Sequence, residues 1–130
     1  MKIENPGAWF EIYVTDIERA KIFYETVFDT TLTEMPMPPS VDPAMRMLAF
    51  PMTMDKTSGA PGALVYMKDI KAGGSSSIIY LASADCAIEE ARVVAAGGTV
   101  TQSKLDLGES GFSVMGIDTE GNWFGIHSMN

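Results

Sequence analysis

Residues 9–28, WFEIYVTDIERAKIFYETVF, constrain this chain more than any other stretch: they read as a strand, a tight corner and an amphipathic helix in direct succession. Side chains alternate across a strand, so Trp9, Glu11 and Tyr13 share one face while Phe10, Ile12 and Val14 share the other. The second face is wholly apolar and suits a core. The first is aromatic around one carboxylate and suits the wall of a pocket. At the corner, Thr15 and Glu18 fit a capping box, or Asp16 caps instead. Ile17, Ala20, Phe23, Tyr24, Val27 and Phe28 then recur at helical spacing, which lays the helix back across the apolar side of its own strand.

The rest of the chain repeats this plan. Residues 30–35 read as a short strand. Pro36, Pro38, Pro39 and Pro43 then exclude a regular ladder and make a loop, with a mobile loop over a site as one reading of it. Residues 45–50 and 63–67 read as strands, with a loop at 55–62 between them. Residues 71–76, KAGGSS, read as a flexible join near mid-chain. After it come a strand (77–82), a helix capped by Asp85 with Ala87, Ile88, Ala91, Val94 and Ala95 as its apolar stripe, and a stop at Gly97-Gly98. Strands at 99–103, 111–117 and 122–128 follow, the last two joined by the turn 118–121. Each half is thus strand, helix, strand, strand, strand, which gives one α+β domain of two modules, about 1–70 and 75–130.

Composition narrows the function. The 130 residues suffice for one domain with a core of its own. Nine basic against seventeen acidic residues leave a net charge of −8, a surface that repels nucleic acid and anionic lipid. No long apolar run predicts a membrane span, and the first residues, MKIENP, show no secretory h-region. The single cysteine, Cys86, fits a reducing cytoplasm and reads as structural.

The pattern is familiar at this point. VTDIERAKIFYETVF resembles the first-module signature of the vicinal oxygen chelate superfamily, which includes glyoxalase I, bleomycin-resistance proteins and extradiol dioxygenases. AIEEARVVAAGGTV resembles the helix and following strand of its second module, and DTEGNWFGIHS its last hairpin. The resemblance implies two tandem βαβββ modules curling into a half-open mixed β barrel around a cavity, with helices packed outside and a homodimer extending it. In metal-using members, one ligand stands on the first and one on the last strand of each module. Counting along the motifs brings those places to Trp9, to Ile78 (Ile79 if the register slips), to Gly125, and to the strand ALVYM. None of these carries an imidazole, a carboxylate or an amide, so the resemblance implies a member without the metal and without a cofactor.

Trp9, Glu11, Tyr13, Ile78, Tyr80, Trp123 and Gly125 are therefore the candidate ligand-binding residues, for a small organic molecule in an aromatic cavity. Alternatively the aromatics simply fill the barrel. Glu11 is either a base or hydrogen-bond acceptor in that cavity, or the partner of a lysine or arginine. His127, the only histidine, is the candidate catalytic partner of Glu11; the plainer reading is a histidine near the end of the strand. Met35, Met37, Met45, Met47, Met52 and Met54 form a pliable rim, a dimer surface or core filling. The leading expectation is a metal-independent binding protein like the bleomycin-resistance branch. The alternative is an isomerase or lyase that uses Glu11 as its base, with or without a metal ion displaced to Glu11 and His127.

Overall fold

The computed structural model describes residues 2–53, 55 and 59–130. The expected plan is present twice. Module one runs β1 (Phe10–Tyr13), α1 (Ile17–Phe28), β2 (Thr33–Glu34), β3 (Arg46–Ala49) and β4 (Gly62–Tyr66). Module two runs β5 (Gly74–Ala82), α2 (Cys86–Val93), β6 (Thr99–Asp106), β7 (Phe112–Ile117) and β8 (Asn122–Ser128). Among the described residues these strands form two four-stranded mixed sheets, ordered β1-β4-β3-β2 and β5-β8-β7-β6, without closing into a barrel. The parallel pairs are β1 with β4 and β5 with β8, so the last strand of each module lies beside its first. Parts of the expected loop at 55–62, and Met54, lie outside the described residues.

The two faces of β1 separate as its alternation requires. Ile12 and Val14 are buried and Phe10 packs beside them, together with Phe23, Tyr24 and Val27 of α1. The same cluster takes in Val93, Val114, Phe124 and Ile126 of module two, so one core spans both modules. On the opposite side of the first sheet, Met47, Ala63 and Val65 form a smaller cluster, with Tyr13, Met35, Met37 and Met45 packed against it. Four of the expected methionines thus line the back of Tyr13, whereas Met52 is exposed.

Of the two caps open at the first corner, Asp16 is the one used: its carboxylate accepts the Arg19 amide at 3.1 Å. Glu18 turns outward to Arg46 instead, at 3.0 Å. Asp85 caps α2 as expected, accepting the Ala87 amide at 3.0 Å. Gly97, at φ +102°, supplies the left-handed residue after that helix.

Three expectations need correction. The strand expected at 30–35 shrinks to Thr33–Glu34, because the Glu25 carboxylate takes the Leu32 amide at 2.8 Å and removes it from any ladder. The join at 71–76 is partly strand: β5 begins at Gly74, whose amide donates to the Gly121 carbonyl at 3.0 Å. The register of β5 on β8 shifts between Gly74 and Ile79, which marks a bulge. Finally, α2 buries Cys86, Glu89 and Val93, and leaves Ile88 and Val94 exposed. Its phase is fixed by the helix start, where the Cys86 amide is held at 3.0 Å by the buried Ser128 hydroxyl.

Candidate functional site

The pocket side of β1 carries a short ladder of three side chains at every second position. The Trp9 indole N–H donates to one oxygen of Glu11 at 3.1 Å, and the Tyr13 hydroxyl donates to the other at 2.6 Å. Strand geometry brings this about, since residues two apart point the same way with nothing between them. Of the partners open to Glu11, aromatic donors on its own strand have taken the place of a lysine or arginine. That neighbour changes Tyr13: the hydrogen bond to Glu11, then burial, then the carboxylate charge, push its phenol up to about 12.

The sign of that shift follows. Tyr13 holds its proton more tightly in the folded chain, so the contribution to stability is complete below its ordinary value near 10 and is lost as pH rises through about 12. In Glu11→Gln, absorbance titration is expected to bring one phenol step back down toward 10. An unchanged alkaline titration would show that Glu11 does not hold Tyr13.

Glu11 and Tyr13 open onto a cleft of about 190 Å³ between β1 and the strands β5 and β8, lined also by Lys71, Ser76, Ser77 and Trp123. Of the sequence candidates, Glu11, Tyr13 and Trp123 meet here, and Trp9 reaches the cleft through its bond to Glu11. Ile79 lines it; Ile78, its neighbour on β5, does not. Tyr80 stands opposite Gly125 on the β5–β8 ladder, about half exposed, with its ring over the glycine where any side chain would collide. His127, opposite Ala82 and Ser113, has its Nε2 2.6 Å from the Ser110 carbonyl oxygen. Tyr80, Gly125 and His127 do not line the cleft. Lys71, Ser76 and Ser77 escaped the sequence reading, because their segment looked like a join; the signal was two hydroxyls and a cation just before the first strand of module two.

The turn between β7 and β8 fastens the two walls. Asn122 donates to the Tyr13 carbonyl at 2.9 Å and accepts the Gly73 amide at 2.7 Å, so one side chain ties β1 to the start of β5. Asp118 orients that asparagine, accepting from its backbone amide at 2.9 Å, and takes the Tyr24 hydroxyl at 2.6 Å. Burial, with the Asp118 charge and hydrogen bond behind it, raises the Tyr24 phenol well above its ordinary value. Glu120, beside it, accepts the Thr15 and Asp16 amides at 3.0 and 2.7 Å and the Arg19 guanidinium at 2.7 Å. Module two thereby satisfies amides at the corner that opens α1 of module one.

Comparison with known proteins agrees with this architecture. A family model described as "Bleomycin resistance protein-like N-terminal" matches residues 8–42. No curated protein matches the chain in sequence. TnmS3, an antibiotic binding protein from Streptomyces sp. CB03234, is similar in structure, with 25% identity, a TM-score of 0.64 and 98% of each chain covered. A member of the glyoxalase/bleomycin resistance protein/dioxygenase superfamily from Sphaerobacter thermophilus DSM 20745 has a TM-score of 0.64 at 21% identity, covering 93% of this chain and 94% of its own. A glyoxalase I mutant from Zea mays has a TM-score of 0.71 at 18% identity; the match takes in 94% of this chain but 45% of that one, so this chain spans less than half of the maize enzyme. The chain has the vicinal oxygen chelate fold, that of the glyoxalase, bleomycin resistance protein and dioxygenase superfamily.

Proposed function

We propose that this chain binds a small organic molecule, without a metal ion, in the cleft between β1, β5 and β8. The observation that carries the reading is the carboxylate of Glu11, held from both sides by Trp9 and Tyr13 on a cleft wall that faces Trp123. A fixed acceptor between aromatic surfaces is what a pocket needs to orient a planar ligand. The antibiotic-binding name of TnmS3 supports the same class of function.

The donor set does not fit the ion of the metal-using relatives. Trp9, Ile78 or Ile79, and Gly125 offer no ligand atom for it in their side chains, and β4 carries no imidazole, carboxylate or amide. Among the described residues no three His, Cys, Asp or Glu side chains converge.

The isomerase or lyase reading keeps Glu11 as its base, and the place of Glu11 on the cleft wall favours it. Two observations favour binding over it. The Tyr13 hydroxyl is committed as a donor to Glu11 at 2.6 Å and fixes that carboxylate as an acceptor on the cleft wall. His127 is engaged with the Ser110 carbonyl, away from the cleft. A homodimer accompanies the binding reading, supported by the exposed Tyr80, Ile88 and Val94, apolar surface of the kind that interfaces cover. The lone cysteine supports a reducing compartment such as the cytoplasm. Among the described residues no helix is long and apolar enough to cross a membrane.

Glu11→Gln tests the reading. Ligands found by thermal-shift screening are expected to bind it about 10- to 100-fold more weakly, the scale of one charged hydrogen bond, with the circular dichroism spectrum unchanged. Full affinity in the variant would remove Glu11 from the site. Turnover of a bound compound by the wild type, abolished in Glu11→Gln, would establish the enzyme instead.

A further inference from the structure

On the reading that this cleft takes an organic ligand, we propose the ligand's class: a small amphoteric aromatic molecule, one ring bearing both an amine and an acid group. Its amine would meet Glu11, and its acid would meet Lys71, Ser76 and Ser77.

The two walls differ in sign. On β1 stands the Glu11 carboxylate, each oxygen already holding one donor from Trp9 or Tyr13. A carboxylate offers about four lone-pair sites, so it accepts further donors from the cleft side. Across the gap, Lys71 stands just before β5, and Ser76 and Ser77 stand on it. Lys71 belongs to none of the ion pairs among the described residues, and neither serine hydroxyl has a hydrogen bond there. Glu11 and Lys71 thus share one cleft without pairing, more than the 4.0 Å of an ion pair apart. The Gly73 and Gly74 amides are committed to Asn122 and the Gly121 carbonyl, so the donors the cleft offers here include the Lys71 ammonium and the two serine hydroxyls.

Charge and size narrow the class further. A purely acidic ligand meets Glu11 and a chain of net charge −8, and a pure amine leaves Lys71 unmatched. A molecule carrying both charges bridges the gap. The volume of about 190 Å³ lies below the roughly 300 Å³ at which pockets for drug-sized ligands begin, which leaves room for one ring and a short chain. Trp123 and Tyr13 offer that ring its flat contacts.

Three matched probes separate the terms: phenylalanine, phenethylamine and 3-phenylpropanoate, each titrated calorimetrically into the wild-type chain and into Lys71→Met. Phenylalanine is expected to bind at least about tenfold more tightly than either singly charged analogue, as a charge-assisted contact at each end requires. Lys71→Met, at an exposed position, is expected to lower phenylalanine to the level of phenethylamine and to leave phenethylamine unchanged. Equal binding of phenylalanine and phenethylamine, insensitive to Lys71→Met, would overturn the amphoteric class while the cleft still binds a ligand. Binding of none of the three, with larger organic compounds quenching Trp123 fluorescence, would overturn the class through its size. No binding by any organic compound would overturn the cleft reading itself, and this proposal with it.

Discussion

Glu120→Ala is expected to destabilise the chain by about 2–4 kcal/mol, the scale of two amides losing their acceptor, with the exposed end of an ion pair adding little. The Glu120 side chain is fully buried while that of Arg19 is about half exposed, so the loss comes mainly from the amides of Thr15 and Asp16. For a chain of this length that corresponds to a melting temperature lower by roughly 10 °C. Glu120→Gln is expected to lose less: one oxygen still accepts the two amides, while its NH2 group faces the Arg19 guanidinium without attraction. The same residue sets an acid limb. Burial, the largest single influence, pushes its carboxyl up, but hydrogen bonds from Arg19, the Asp16 amide and Thr119 together hold it below its ordinary 4.5. The folded chain therefore binds that proton more weakly than the unfolded one. Its contribution is complete above about 4.5 and is lost as pH falls through the lower folded value. Thermal melts from pH 7 to pH 3 are expected to fall less steeply in either variant than in the wild type. Parallel curves would show that Glu120 does not carry the acid sensitivity.

What the sequence disclosed, and what it withheld, follows from how local each signal is. The face of Ile12 and Val14, the Asp85 cap and β8 as Asn122–Ser128 were all readable, because each depends on neighbours a few residues away. The phase of α2 was not. Ala87, Ile88, Ala91, Val94 and Ala95 satisfy helical spacing as well as Cys86, Glu89 and Val93 do, and periodicity does not choose between two stripes of one helix. The choice lies with the distant hydroxyl of Ser128. The opening of β5 was hidden for a related reason. Residues 73–77 are glycine and serine without alternation, and their strand is imposed by Gly121 and Asn122, far along the chain. The site divides in the same way: Glu11 with its flanking aromatics is a pattern within one strand, whereas Lys71 and the serines join it only through the approach of two modules.

Phe124→Ala is expected to cost about 3–5 kcal/mol, the range for emptying a buried aromatic site, and to weaken both modules at once. Phe124 is 1% exposed on β8 of module two. Its ring meets those of Phe23 at 5.7 Å, Tyr24 at 6.2 Å and Phe28 at 6.3 Å, all on α1 of module one. A helix and a strand from different halves thus share one aromatic cluster, and the cavity left by alanine would be walled by both. A single folding unit would rest on this shared cluster, and unfolding tests that. The chain carries its own reporters, since one of its two tryptophans, Trp9, lies beside β1 and the other, Trp123, on β8. Urea unfolding, followed through Trp9 alone in Trp123→Phe and through Trp123 alone in Trp9→Phe, is expected to give coincident transitions. Adding Phe124→Ala to each should move both midpoints down by the same amount, with unchanged slope. If only the Trp123 transition moved, the modules would be separate folding units, and the core that joins them would contribute little to the stability of module one.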